Sequence, residues 1–178
     1  HIALNQLRKL VNEIIKTYGH PDSIHIELAR ELKMGKRALD EINKRQTKDQ
    51  KDNERINAEL EKLNVKQNYE NRMIYKLWED LASDPAKRCC PFTGKPIACH
   101  QLFTGEFEVE HLLPFSRSYN NARANKVLSH RDANRQKGNR SPFEAFGHTK
   151  EWEEILARVD NLPYQKTWRF QEDAWEKA

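Results

Sequence analysis

Two adjacent residues near the middle of the chain, Glu110 and His111, could carry acid–base and metal chemistry. Asn125 follows His111 by 14 positions, and Asn134 follows it by 23. A neutral histidine can take a proton from water near neutral pH, and carboxylate and amide oxygens are suitable ligands for a hard cation such as Mg²⁺. Together these groups could hydrolyse a phosphodiester bond, with His111 as the base and the cation stabilising the departing oxygen.

Each of these four residues also has an ordinary structural explanation. His111 can be a strand histidine satisfied by a neighbour, and Glu110 can be a solvent-facing strand position. Asn125 can be a loop residue that bonds the backbone, and Asn134 can be a surface residue of a helix. Their joint occurrence in one basic segment is what favours the chemical interpretation.

The basic residues of the chain are concentrated around the histidine. The whole chain has a net charge of +4, but residues 111–140 hold seven lysines and arginines against the single acid Asp132. We predict that these cations contact a nucleic-acid backbone, because a clustered positive surface attracts polyanions. A solvated loop is the alternative explanation. The predicted nucleic-acid contacts are Arg117, Arg123, Lys126, Arg131, Arg135, Lys137 and Arg140.

Local patterns predict a strand, a loop, a second strand and a helix across this central segment. Residues 107–114 predict a strand that ends in proline, and residues 126–128 predict a second, shorter strand. Ser129 and Asp132 have the spacing of a capped helix start, so we expect a helix to run from there toward Gly138.

The alternation of side chains along a strand sets a geometric condition for Glu110 and His111. Successive side chains of a regular strand point to opposite faces. A site that uses both residues therefore requires a local twist or a bulge in strand 107–114.

The flanking regions predict mostly helix. Residues 2–16 have helical apolar spacing that ends before Gly19, and residues 24–28 alternate as a short strand does. Residues 43–55 contain no apolar side chain, which predicts a solvent-exposed helix or a mobile connection. Further helices are expected from Ile56 to about Asp84, after a Ser141 cap, and over residues 151–159.

The three cysteines indicate a reducing compartment, because an odd number argues against a disulfide framework. Cys89, Cys90, Cys99 and His100 could together improvise a zinc site, but no second ligand pair follows them, and zinc is not predicted. No segment is apolar enough to cross a bilayer, and the first residues form no secretory signal. We therefore expect a soluble, cytoplasmic protein.

Three stretches of the chain carry a family resemblance. E-V-E-H-L-L-P-F-S, A-N-K-V-L and D-A-N-R-Q-K-G-N-R-S-P-F-E resemble the HNH nuclease motif with its ββα-metal (His-Me finger) fold. More narrowly, they resemble the HNH domain of the type II CRISPR-associated RNA-guided endonucleases, in the compact type II-C branch. The flanks are also similar to this family. H-I-A-L-N-Q-L-R-K-L-V-N and I-H-I-E-L-A-R-E resemble its second RuvC motif, and W-R-F-Q-E-D-A-W-E-K resembles the linker toward the third.

The resemblance covers essentially the whole chain and implies its organisation. The implied fold is α+β and mostly helical, with a ββα-metal core at about residues 105–147 and additional helices. Residues 1–33 would be the RuvC-motif-II helix and strand. Residues 34–163 would be the HNH nuclease domain, and residues 164–178 the linker toward RuvC motif III.

The resemblance also implies roles for individual residues. His111 matches the general base, and Glu110 matches the acidic metal ligand, where many relatives have aspartate. Asn134 matches the second metal-binding residue, and Asn125 matches a motif asparagine that we expect to orient the loop or the base. Glu27 matches an acidic residue of the RuvC site, whose other members would lie outside these 178 residues.

The implied activity is hydrolysis of the DNA strand that is paired to a guide RNA, with one Mg²⁺ and with Mn²⁺ as a possible substitute. The implied partners are the guide RNA–DNA heteroduplex and the RuvC and other domains of a larger prokaryotic protein, without a membrane. Two alternatives stay open. One is a free-standing HNH nuclease that reads its own DNA, and the other is a non-catalytic nucleic-acid-binding or protein-binding module.

Overall fold

The computed structural model describes residues 2–21, 23 and 35–178, and the side chains from Asn5 onward. The strand expected at residues 24–28, together with Glu27, lies outside the described residues. The chain divides into two units, His1–Arg45 and Gln46–Ala178, each of which is described by itself. This division differs from the boundary expected between residues 33 and 34.

Helix α1 covers Ile2–Tyr18, slightly longer than expected. Gly19 ends it with a φ of +84°, and its amide donates to the carbonyl of Ile15 at 2.9 Å. Glycine adopts this left-handed conformation without a steric penalty, which makes it a common residue just beyond a helix end.

Helix α2 covers Lys36–Lys62 and includes the entire polar stretch 43–55. Of the two structures predicted for that stretch, the solvent-exposed helix is therefore the correct one. Only near its C-terminal end does α2 bury apolar side chains, those of Ile56 and Leu60.

Helix α3 covers Tyr69–Glu79, shorter than the helix expected to reach residue 84. The side chain of Asn68 caps its start by accepting from the amide of Asn71 at 2.8 Å. At its other end, Trp78 donates from Nε1 to the carbonyl of Ile97 at 2.7 Å, and Arg88 lies 4.0 Å from the centroid of the same indole. These contacts tie α3 to the irregular segment that precedes the central sheet.

The centre of the second unit is a two-stranded antiparallel sheet followed by a helix. Strand β1 is Phe107–His111, strand β2 is Lys126–His130, and helix α5 is Arg131–Lys137. Between the strands lies the single-turn helix α4, Phe115–Ser118. The expected ββα core is confirmed, although β1 ends before Leu112 and β2 continues two residues beyond its expected end.

The cap expected for α5 is wrong by one residue. His130 is the N-cap, and its Nδ1 accepts from the amide of Asp132 at 3.3 Å. Ser129 instead pairs with Glu108 in the sheet and is fully buried there. Strand pairing therefore extends to the residue before the helix and takes Ser129 away from the capping position.

Two further helices pack against this core. Helix α6, Pro142–Phe146, has the predicted Ser141 cap, completed as a capping box by Glu144. Helix α7, Trp152–Val159, buries Ile155 and Val159 as expected from its spacing. Short 3₁₀ turns cover Pro85–Lys87, Cys99–Gln101, Arg123–Asn125, Trp168–Phe170 and Glu172–Trp175.

The C-terminal segment, residues 164–178, belongs to the same unit as the central sheet, and its role as a linker toward RuvC motif III stays a prediction. It begins with helix α8, Tyr164–Thr167, and buries Phe170 and Ala174 completely. Lys166 is also buried, where its Nζ pairs with Asp80 at 2.9 Å and donates to the carbonyl of Lys126 at 2.6 Å. The expected boundary between residues 163 and 164 therefore falls inside a packed region.

Among the described residues, no helix combines the length and apolarity needed to cross a membrane.

Replacement of Phe170 by alanine should destabilise the second unit by about 3–5 kcal/mol, because a fully buried aromatic ring leaves a cavity. Denaturant unfolding followed by tryptophan fluorescence measures the change. Tyr164→Ala is the control, since Tyr164 is 85% exposed and its loss should change the free energy of unfolding by less than about 0.5 kcal/mol. An unfolding midpoint for Phe170→Ala equal to that of the unsubstituted chain would show that this segment is not part of the core.

Candidate functional site

Asn125 closes the loop between the two strands with its buried side chain. Its Oδ1 accepts from the amide of Leu113 at 3.0 Å, while its Nδ2 donates to the carbonyls of Leu113 at 2.8 Å and Asn120 at 2.9 Å. The side chain is fully buried, so these three hydrogen bonds satisfy backbone groups that water does not reach. Such contacts shape the loop, as the ordinary structural explanation of Asn125 also requires, and its role of orienting the loop or the base within the motif stays a prediction.

His111 occupies the last position of β1, where it meets this loop. Its Nε2 lies 3.0 Å from Oδ1 of Asn121, and its ring lies 5.7 Å from the ring of Phe115 between centroids. Because an amide oxygen only accepts, Nε2 is the donor in this hydrogen bond. Asn121 was not among the residues singled out in the sequence, where it is one of several asparagines in a polar loop.

Glu110 faces α5 and pairs with a buried lysine. Nζ of Lys137 lies 2.7 Å from Oε1 of Glu110, and the lysine side chain has no exposed surface. The same ammonium donates to the carbonyls of Arg140 at 2.7 Å and Gly138 at 3.3 Å. Burial lowers the pKa of Lys137, and the pairing with Glu110 opposes that shift. Lys137 therefore lies beneath the surface on which the other predicted nucleic-acid contacts are found.

Asn134 also faces β1 from α5, one turn before Lys137. Its Nδ2 donates to Oε2 of Glu108 at 2.8 Å, and Oε1 of the same carboxylate accepts from Nε of Arg131 at 2.8 Å. Glu108 and Glu110 are two positions apart on β1 and therefore share the face that meets α5. Sequence reasoning missed Glu108, although its spacing from Glu110 was a usable signal.

The sheet has no bulge at the Glu110–His111 pair. Five consecutive residue pairs join the strands, from Phe107 opposite His130 to His111 opposite Lys126. Regular alternation therefore places Glu110 on the α5 face and His111 on the opposite one, at the very end of the strand. The structure brings Glu110 and Asn134 to the same face and joins His111 to Asn121. It does not bring His111 onto the face of Glu110, and the paired strand contains no bulge that would do so.

The side-chain oxygens on the α5 face of the sheet are suitable ligands for a hard divalent cation. Oε2 of Glu110 and Oδ1 of Asn134 have no hydrogen-bond partner within the described part of the chain. A carboxylate and an amide oxygen are ligands that Mg²⁺ accepts, with water and substrate completing its shell. No group of three His, Cys, Asp or Glu side chains suitable for a metal occurs in residues 5–21, 23 and 35–178. The set thus fits a site with few protein ligands rather than a closed protein cage.

Much of the basic character of this segment is neutralised by acids from other parts of the chain. Ion pairs link Arg117 to Glu144, Arg123 to Asp80, Arg131 to Glu108 and Lys137 to Glu110, all at 2.7–2.9 Å. Only one of these cations, Lys137, is fully buried. The others are partly exposed, and pairs of that kind contribute little stability.

Three of the predicted cations have no carboxylate partner among the described residues. Lys126 lies opposite His111 in the sheet, and Arg135 follows Asn134 on α5. Arg140 bonds only backbone carbonyls, those of Lys137 and Gln136. Of these three cations, Lys126 is the one that the sheet places beside a candidate site residue.

The cysteines make no cluster with acids or histidines in the described structure. Cys90 is buried and its Sγ accepts from the amide of His130 at 3.3 Å. Burial raises the pKa values of the Cys89 and Cys99 thiols.

Comparison with known proteins places this ββα unit in a family. Residues 90–143 match the model of the HNH endonucleases. The chain is 34% identical over 166 residues to the CRISPR-associated endonuclease Cas9 of Campylobacter jejuni, across 92% of this chain and 16% of that protein. A crystal structure of Streptococcus thermophilus Cas9 in complex with the AGAA PAM covers 94% of this chain and 17% of its own, with a TM-score of 0.62 and 28% identity.

Residues 90–143, which hold both strands and α5, therefore match an HNH endonuclease domain. Over most of its length the chain is similar to the HNH-containing region of the Cas9 endonucleases. The chain spans 16% of the length of the Campylobacter jejuni protein and 13% of that of a Streptococcus thermophilus Cas9. The type II-C Cas9 of Actinomyces naeslundii, with a TM-score of 0.59 and 18% identity over 96% of this chain and 21% of its own, shares the fold. Assignment to the type II-C branch stays a prediction.

The unpaired cations should matter more for DNA binding than the paired ones. Lys126→Ala or Arg135→Ala should weaken binding to a nucleic-acid duplex and reduce the slope of log K against log salt by about 1 each. Arg123→Ala and Arg131→Ala are matched controls with smaller expected effects, because each of these cations is already paired. Fluorescence anisotropy across a salt series measures both quantities. Equal slopes for all four variants would contradict this distinction.

Proposed function

We propose that the chain is the nuclease domain that cuts the guide-paired DNA strand within a larger RNA-guided endonuclease. The observation that carries this proposal is the position of His111 at the end of β1, inside the segment that matches the HNH endonucleases. Similarity to Cas9 proteins across 92% of the chain supports the RNA-guided context. The larger protein would supply the guide RNA, a RuvC site that includes Glu27, and the remaining domains, in a prokaryotic cytoplasm.

His111 is the proposed general base. Because regular alternation places it on the face opposite Glu110, the proposal requires β1 to twist at His111, its last paired position, when DNA is bound. With Nε2–H donated to Asn121, the neutral imidazole keeps its lone pair on Nδ1. That nitrogen can accept a proton from water as the water attacks the scissile phosphate. Asn121 is thus a positioning residue, since it acts by fixing the ring and its tautomer.

Glu110 and Asn134 would hold Mg²⁺, or Mn²⁺ in its place, through Oε2 and Oδ1. When bound, such an ion supplies positive charge to the scissile phosphate and to the departing oxygen. Lys137 holds Glu110 through Oε1 and leaves Oε2 available. Glu108 likewise holds Asn134 through Nδ2, which leaves its oxygen available. Each ligand is therefore held through one atom, Oε1 of Glu110 or Nδ2 of Asn134, while its remaining oxygen stays available to the ion.

The decisive test is strand-specific nicking by the full RNA-guided endonuclease that contains this chain. His111→Ala should slow cutting of the guide-paired strand by about 10²- to 10⁴-fold, because the proposed base is lost. A duplex labelled separately on each strand and supplied with Mg²⁺ reports the two cuts independently.

The matched control for this test is His100→Ala. His100 is an exposed histidine in a 3₁₀ turn, so its loss should leave both rates unchanged. Cutting of the guide-paired strand at the unsubstituted rate by His111→Ala would overturn the assignment of the base.

A further inference from the structure

Two aromatic side chains stand exposed beside the candidate base. Phe115 is 47% exposed and Tyr119 is 80% exposed, and their ring centroids lie 6.2 Å apart in an edge-to-face arrangement. Phe115 also contacts the ring of His111, at 5.7 Å between centroids. We call Phe115 and Tyr119 the aromatic shelf. It gives this side of His111 an apolar surface that the proposed proton transfer does not use.

Local structure directs the shelf away from the rest of the unit. Phe115 and Tyr119 are four positions apart on α4 and at its end, so they share one face. The intervening Ser116 and Arg117 bond in another direction, to Asn139 at 2.6 Å and to Glu144 at 2.9 Å. Those contacts anchor α4 and leave the two rings exposed.

Tyr119 also adopts an unfavourable backbone conformation. Its φ is +51°, in the left-handed region where a residue other than glycine costs about 1 kcal/mol or more. Its amide donates to the carbonyl of Phe115 at 2.9 Å, which closes the helix turn. Glycine or asparagine would fill this position at lower cost, so the tyrosine ring itself is the feature to be explained.

The charge beside the shelf suggests what covers it. Lys126 lies directly opposite His111 in the sheet, so the two side chains share a face. No carboxylate within the described ranges pairs with Lys126. A nucleic-acid strand alternates anionic phosphates with sugars, and in a base-paired strand the sugars, rather than the bases, are presented outward. An apolar shelf in contact with His111 and a lysine that pairs with it in the sheet match that alternation.

We propose that the aromatic shelf packs against the deoxyribose next to the scissile phosphate, while Lys126 contacts a neighbouring phosphate. The inference rests on the proposed function, since it takes His111 as the group that faces the scissile phosphate. Contact with the sugar fixes which phosphate of the DNA strand lies at His111, and it does so without reading the nucleobase sequence. It also gives the site a means of distinguishing DNA from RNA, because an added 2′ group would collide with the rings.

The test is a scan of single 2′-O-methyl nucleotides across the positions that flank the cut, in the guide-paired strand. The full RNA-guided endonuclease is compared with its Phe115→Ala and Tyr119→Ala variants under single-turnover conditions. With the unsubstituted enzyme, a methyl group on the nucleotide at the shelf should slow cutting about five- to tenfold, as expected for the loss of one aromatic contact. In Phe115→Ala the same methyl group should change the rate less than about twofold, because the ring that it meets is gone.

Two further variants serve as controls. Tyr164→Ala removes a similarly exposed ring from α8 and should keep the full sensitivity to the methyl group. Phe115→Tyr retains an aromatic ring at this position and should also retain the full sensitivity to the methyl group. Thermal unfolding of each variant checks that the unit remains folded.

Equal sensitivity to the methyl group in the unsubstituted enzyme and in both alanine variants would overturn the proposal. An equal loss of rate on every substrate, whatever its sugar, would also overturn it and would indicate that the shelf contacts another protein domain. Quenching of 2-aminopurine at the flanking position, lost in Phe115→Ala, would assign the contact to a nucleobase instead. Each result is independent of the His111→Ala outcome. A wrong sugar-contact proposal can therefore be distinguished from a wrong assignment of His111 as the general base.

Discussion

The buried amide of Asn125 is the interaction on which the geometry of the site depends. A single side chain satisfies the amide and carbonyl of Leu113 and the carbonyl of Asn120, and it does so where water has no access. The loop that leaves β1 must therefore return to the start of β2 along one path. That path brings Asn121 to Nε2 of His111 and leaves the aromatic shelf exposed on α4.

Charge compensation organises the other side of the sheet. Glu108 and Glu110 face α5, where they meet Asn134 and Lys137 one helical turn apart. Lys137 is wholly buried, so its ammonium serves the carboxylate beside it rather than an external polyanion. The desolvation cost of such a buried pair offsets much of its electrostatic attraction, but the pair fixes the geometry of Glu110, which a metal ligand with one free oxygen needs.

Local patterns in the sequence predicted the ββα core, the capping box at Ser141 and the face that α7 buries. Two errors arose where tertiary contacts overrode local signals. Strand β1 stops at His111 because Asn125 turns the next residues, and Ser129 pairs in the sheet instead of capping a helix. The neutralising acids were also hidden, since each ion pair joins residues far apart in the chain, such as Arg123 and Asp80. Residue types alone did not distinguish Asn121 from the other asparagines of its loop.

The central claim is that His111 is held as a base with its lone pair on Nδ1, and nitrogen-15 NMR of the histidine side chains measures this directly. For the neutral ring we predict a proton on Nε2, and a mixture of both tautomers once Asn121→Ala removes the acceptor. A proton on Nδ1, or a His111 spectrum that Asn121→Ala leaves unchanged, would contradict the account.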